Sequence, residues 1–230
     1  MAPGTPVLDG VAIPQHPFEP TAPAISRTVP VVVGYNRTEE SIYYRSRPAP
    51  TDMSDEDMKS PVADRLGETP VSVDRVIEVY RTANPDAKPW ELFMLICTDH
   101  PRGTYPQTLA VRREASDAAP TYLYRFDWEI DDTLMAPHAL EIPFAFNNID
   151  KPYALFDIPE TPEALSLAKR MSAAWIAFAR TGEPDTPDIP NWPAYTADER
   201  STMIFDNECH VLNDPHAETR RVMEDVLGLS

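Results

Sequence analysis

The run VPVVVGY at residues 29–35 admits few folds. Consecutive β-branched residues favour extended backbone, and apolar side chains at successive positions demand that both faces of the strand be covered. The pattern predicts a strand in the middle of a parallel sheet with helices on either side, rather than a half-solvated antiparallel strand. The polar stretch NRTEES follows at its carboxyl end. In open parallel sheets, ligands and chemistry gather at that end. A second strand is predicted at TYLYRFDW, residues 121–128, where Tyr122, Tyr124, Phe126 and Trp128 alternate with Leu123 and Arg125. Helical patterns separate the two strands, so the fold class is α/β.

Elsewhere the chain reads as helices and connections. Residues 1–30 carry Pro3, Pro6, Pro14, Pro17, Pro20, Pro23 and Pro30, which predicts an extended lead-in packed on something else. Residues 45–70, rich in Pro, Asp and Ser, predict a loop with at most a short helix. Thr69 and Pro70 look like the cap and first turn of a helix that buries Val73, Val76, Ile77 and Tyr80. Trp90, Phe93, Met94 and Cys97 repeat that spacing in the next helix, and a third is expected over 106–115. The strongest helix pattern spans 161–182: Thr161 caps it, Pro162 takes the first turn, Gly182 closes it, and Leu165, Ala168, Met171, Trp175 and Phe178 form the expected buried stripe. Two short strands around Asn207 and Glu208, then a helix over 214–228 capped by Asp214, complete the reading. Two long core strands cannot bury the inward faces of about five helices. Residues 1–230 are therefore expected to be the C-terminal part of a single larger α/β domain, with an incomplete, mostly parallel sheet whose first strands lie elsewhere.

Composition removes several functions. A formal net charge of -17, with no cluster of Lys and Arg, excludes a nucleic-acid partner and disfavours an anionic membrane surface. No apolar run is long enough for a transmembrane segment, and MAPGTPVLDG lacks the basic and apolar regions of a signal peptide, which leaves the compartment open. Cys97 and Cys209 make neither a disulfide framework nor a metal quartet. Asp99 and His100 beside Cys97 offer too few converging ligands for zinc, so neither a metal nor another cofactor is expected.

Two residues stand where chemistry would. Glu39 follows the first strand, and His138 follows the second, set behind Pro137 in LMAPHALEIPFAF (134–146). Sheet logic brings both to one edge. A carboxylate accepting the Nδ1–H of the imidazole fixes its tautomer, frees Nε2 to take a proton from a hydroxyl, and stabilises the resulting imidazolium. Taken singly, each residue also has an ordinary reading: a solvated glutamate after a strand, and a structural loop histidine. Glu141 can accept a charged hydrogen bond but ranks behind Glu39 for the acid role. His210 and His216 read as surface or capping groups.

DGVAIPQHP followed by VPVVVGYNRTEES, YLYRFDW, PHALEIPFAFNN, AAWIAFARTGEPDTPDIPNWPAY and TMIFD resembles, in order, the C-terminal half of the type B carboxylesterases, the cholinesterase and para-nitrobenzyl esterase group. The resemblance runs over essentially the whole chain. It implies an α/β-hydrolase fold and hydrolysis of a small carboxylic ester by a Ser-Glu-His triad, with Glu39 as acid, His138 as base and Ser41 as a supporting serine hydrogen-bonded nearby. Family members often carry Gly where this chain has Glu40 and Ala139, and Glu40 places a second carboxylate beside the first. Ser41 lacks the strand-turn-helix elbow of an attacking serine, and residues 1–230 contain neither G-x-S-x-G nor a glycine-rich oxyanion stretch. The resemblance places both upstream of Met1. The expectations are that the chain alone is inactive, and that its open sheet associates with the missing N-terminal half or with another copy. The alternative is a non-catalytic α/β-hydrolase-like binding module. Phe144 and Phe146 are expected to border an acyl or alcohol pocket, and Trp175 and Phe178 to be core.

Overall fold

The computed structural model describes residues 7–229, so Met1, Pro3, Pro6 and the rest of the first six positions of the proline-rich lead-in lie outside the described residues. Four strands form one sheet in the order β1 (Val31–Asn36), β2 (Thr121–Phe126), β3 (Ser201–Phe205) and β4 (His210–Asn213). β1 and β2 are parallel from Val31 opposite Thr121 to Asn36 opposite Phe126, and β3 continues parallel to β2. β4 returns antiparallel to β3, which makes the 203–214 segment the expected pair of short strands.

Alternation along the strands sends side chains to two helical layers. Tyr122 and Phe126 join Leu167, Met171, Met203, Phe205 and Trp192 in one core beneath α6 (Pro162–Thr181). Leu123 points the other way, with Ala110 of α4 (Thr104–Glu114) and Val33 packed on it. A further core, with Met58, Val62, Val76, Tyr80, Trp90, Ile96 and Met223, fills the space among α1 (Asp55–Leu66), α2 (Val73–Ala83), α3 (Pro89–Thr98) and α7 (Ala217–Leu227). A four-residue α5 (Ile142–Ala145) lies against α6. The one glycine of β1 has a steric cause: a Cβ on Gly34 would stand 2.4 Å from the ring and carbonyl of Tyr124, its cross-strand partner.

Several expectations need correction. Among the described residues β1 is the end strand of the sheet, half-buried over Val31–Gly34. Residues 45–70 hold a three-turn helix, α1, because Ser54 and Asp57 close a capping box and Met58, Val62 and Leu66 form a buried stripe despite Pro61 within it. α2 begins at Ser72, whose hydroxyl accepts the Arg75 N–H, and not at Thr69. α6 keeps its predicted ends, with Thr161 accepting from the Ala164 N–H and Gly182 left-handed at φ 82°. Its buried face, however, is Ala164, Leu167, Ala168, Met171 and Ala174, so Leu165, Trp175 and Phe178 sit at its margin. Asp214 does not cap α7; it takes the guanidinium of Arg220 in two bonds of 2.7 and 2.8 Å, and His216 holds the cap position.

Candidate active site

Beyond Asn36 the chain turns into a 3₁₀ segment, Glu39–Tyr44, while the loop after β2 runs alongside it. Main-chain bonds join the two: Arg37 N–H to the Phe126 carbonyl (2.9 Å), Thr38 N–H to the Ala136 carbonyl (3.1 Å), and His138 N–H to the Glu39 carbonyl (3.2 Å). Thr38 Oγ1 accepts the Ala136 N–H at 2.8 Å. Ser41, wholly buried, turns its hydroxyl to the carbonyls of Thr38 (2.7 Å) and Leu134 (2.5 Å), so it braces both loops through their backbone.

This bracing sets the carboxylate of Glu39 against the imidazole. Glu39 Oε1 accepts the Asn36 N–H at 2.8 Å, and Oε2 lies 2.5 Å from His138 Nδ1. Glu39 is buried, whereas the His138 side chain is 51% exposed, which leaves the outer part of the ring open to a reactant. A buried anion facing Nδ1 draws the ring proton to that nitrogen and leaves the Nε2 lone pair free. The two residues are 99 positions apart in sequence, and the parallel register brings their loops together.

Three neighbours escape sequence reasoning. Asn36 donates its amide to the Pro137 carbonyl (2.7 Å) and to Glu141 Oε2 (2.6 Å), clamping the histidine loop from below. Burial raises the Glu141 carboxyl above its ordinary range, opposed by that Asn36 bond. Arg65 on α1 and Arg102, in the π-turn Asp99–Gly103, both reach Glu40 Oε1, at 3.0 and 2.9 Å. Glu40 is therefore a buried carboxylate with two cationic partners and not a second acid aimed at the imidazole. The only signal in sequence was Glu40 itself, a charge at a position that had to be buried; its partners come from segments 25 and 62 residues away and could not be read.

The other candidates fall elsewhere. Phe144 is fully buried against Phe126 and Trp128, which removes it from the expected pocket. Phe146 is 74% exposed and, with Ile142, Trp175 and Ile176, lines an open apolar cavity of about 520 Å³. Asp99 accepts the Tyr80 hydroxyl at 2.6 Å. Burial pushes the Cys97 thiol up to about 12, so it is no nucleophile near neutral pH. Among the described residues, no three His, Cys, Asp or Glu side chains are arranged to hold a metal ion.

Residues 1–222 match the family model described as the carboxylesterase family. A para-nitrobenzyl esterase of Bacillus subtilis is 31% identical over 218 residues, covering 94% of this chain and 42% of the relative. A liver carboxylesterase of Sus scrofa is 30% identical over 216 residues, covering 86% of this chain and 37% of the relative. A crystal structure of a carboxylesterase from Geobacillus stearothermophilus superimposes with a TM-score of 0.77 at 30% identity, over 96% of this chain and 46% of that one. The chain thus spans about two fifths of the length of the curated relatives it matches.

Proposed function

This chain belongs to the carboxylesterase family, and from that premise we propose that it supplies the acid and base of an ester hydrolase, with Glu39 orienting His138. The observation that carries the reading is the 2.5 Å contact between Glu39 Oε2 and His138 Nδ1 at the carboxyl ends of β1 and β2. In the proposed reaction a serine hydroxyl, presented from outside residues 1–230, attacks the ester carbonyl carbon as His138 Nε2 removes its proton. The tetrahedral intermediate collapses, and the imidazolium gives the proton to the departing alkoxide. Water then repeats the sequence on the acyl-enzyme, with His138 again as base and then as acid. Ser41 keeps the two loops in register, and Asn36 and Glu141 hold the backbone on which His138 sits.

The proposed partner is a segment bearing the nucleophile and the oxyanion donors, docked along β1. Val32, Val33, Gly34, Tyr124, Trp175 and Phe178 line an open cavity of about 410 Å³ on that side, suited to an incoming strand and helix. Without such a segment the chain has no attacking hydroxyl and no dipoles for the developing oxyanion, so the proposal includes that it is inactive alone.

An in-frame chimera carrying the upstream part of the Bacillus subtilis relative, assayed with para-nitrophenyl acetate, tests the reading. His138→Asn is expected to lower kcat by several powers of ten, as loss of a triad base does. Glu39→Gln is expected to be severe and Glu40→Gln milder. Near-normal turnover after His138→Asn would remove the histidine from the chemistry, and the reverse ranking of the glutamates would move the acid role to Glu40.

A further inference from the structure

The Arg102 guanidinium stands beside the acid–histidine pair without belonging to it. Its Nη1 lies 3.3 Å from His138 Nδ1 and 3.9 Å from Glu39 Oε2. A ring nitrogen cannot donate a proton to Glu39 and accept one from Arg102 at once, and the shorter distance and the anion favour the carboxylate. Arg102 is thus a cation facing an N–H, and after Glu40 Oε1 the next carboxylate oxygen it meets is Glu39 Oε2. A movement of about 1 Å would bring Nη1 to hydrogen-bonding distance and make it compete for the oxygen that holds the imidazole.

One ion-pair contact opposes this movement: Arg102 Nε with Glu40 Oε1, 2.9 Å. Glu40 is well fixed for the task. It is buried, and Arg65 Nη2 grips the same oxygen at 3.0 Å while also donating to the Cys97 carbonyl at 2.8 Å. Arg65 Nε donates to the His100 carbonyl at 2.9 Å, which anchors the turn that carries Arg102. The far end of Arg102 is less constrained, its side chain being 36% exposed.

We infer that Glu40 is a positioning residue that holds Arg102 away from Glu39 and so preserves the Glu39–His138 hydrogen bond. The inference rests on the reading of that pair as acid and base. It gives the carboxylate at position 40 a local purpose: it restrains Arg102, which without it would compete with His138 for the Glu39 carboxylate. Arg102 is expected to be dispensable when Glu40 is present or absent, whereas Glu40 is expected to matter only while Arg102 is there.

The test is a double-mutant cycle read on the imidazole of the purified chain, by nitrogen-15 NMR of labelled histidine with His138→Asn for assignment. The original chain is expected to show His138 protonated on Nδ1 with a strongly deshielded proton. Glu40→Gln is expected to lose that signal, Arg102→Gln to keep it, and Glu40→Gln with Arg102→Gln to regain it. Retention of the signal in Glu40→Gln, or no recovery in the double variant, overturns the inference. Where Glu40→Gln does not fold, Glu40→Asp keeps the charge but withdraws it by one methylene, and an unchanged signal there has the same adverse meaning. In the chimera, Glu40→Gln is expected to lower kcat by about tenfold to a hundredfold, with most of it recovered by adding Arg102→Gln. An inactive chimera with the NMR cycle intact would defeat the esterase reading and leave the positioning role; an active chimera without the cycle would do the reverse.

Discussion

Ala139 follows the candidate base in the left-handed region, φ 71°, where a Cβ crowds the carbonyl and costs roughly 1 kcal/mol. That conformation accounts for the glycine common at this place in the family and shows that alanine adopts the same turn, supported by Tyr153, whose hydroxyl donates to the Ala139 carbonyl at 3.0 Å. Asp99 is the other residue with a measurable consequence. Burial pushes its carboxyl to about 6, against the bond from Tyr80 and the charge of Arg125, both of which lower it. A folded-state value above the unfolded one means that the native protein binds the extra proton. This group's stabilising contribution is therefore present below about pH 4 and lost as pH rises to about 6. Asp99→Asn is expected to remove that loss, so urea midpoints of the original chain should fall relative to the variant between pH 4.5 and 7. A constant difference across that window would show that Asp99 does not titrate there. Because Asp99 lines a small cavity of about 30 Å³ and keeps some exposure, the effect should be smaller than full burial would give.

At the scale of elements, α6 shows how a correct helix can carry a misplaced face. Its ends are set by local chemistry, Thr161 at one and Gly182 at the other. Its rotation is set by what β2 and β3 offer, and packing turns Leu167 and Met171 fully inward while Leu165 stays at the rim. Leu167→Ala is expected to cost about 2–5 kcal/mol, the range for a large core side chain cut to alanine. Leu165→Ala should cost clearly less in the same urea titration, and a larger cost at Leu165 than at Leu167 would mean that the predicted stripe was the true one. α1 makes the complementary point. Its acidic start and internal Pro61 resemble a loop, yet Ser54, Asp57 and the buried side chains of Met58, Val62 and Leu66 are enough to hold a helix.

For the whole molecule, the controlling feature is the β1 side of the sheet. Among the described residues a strand apolar on both faces stands at an edge, next to an apolar surface that includes Phe146, 74% exposed, and Ile176, 50% exposed. Unpaired strand edges and exposed apolar patches bind whatever complements them. The purified chain is expected to show no ester turnover and to self-associate with rising concentration in sedimentation experiments. Phe146→Ser with Ile176→Ser should weaken that association. A monomer at all concentrations, with one cooperative unfolding transition, would show that this surface needs no partner. The charge of -17 opposes aggregation without covering the surface, so solubility alone does not discriminate.

The sequence by itself determined the α/β class, the parallel pairing of the two long strands, the ends of α6, and the meeting of Glu39 and His138, the pair proposed as acid and base. These depend on local rules: β-branched runs extend, Thr and Gly bound helices, and parallel strands bring their carboxyl ends to one edge. Only the tertiary structure decided that α6 buries Leu167 and not Leu165, and that Phe144 is core while Phe146 is exposed. It also decided the partners of Glu40. Arg65 and Arg102 reach that carboxylate from a helix and a turn that carry no local mark of it, because an ion pair is fixed by where the chain folds back and not by what lies beside it in sequence.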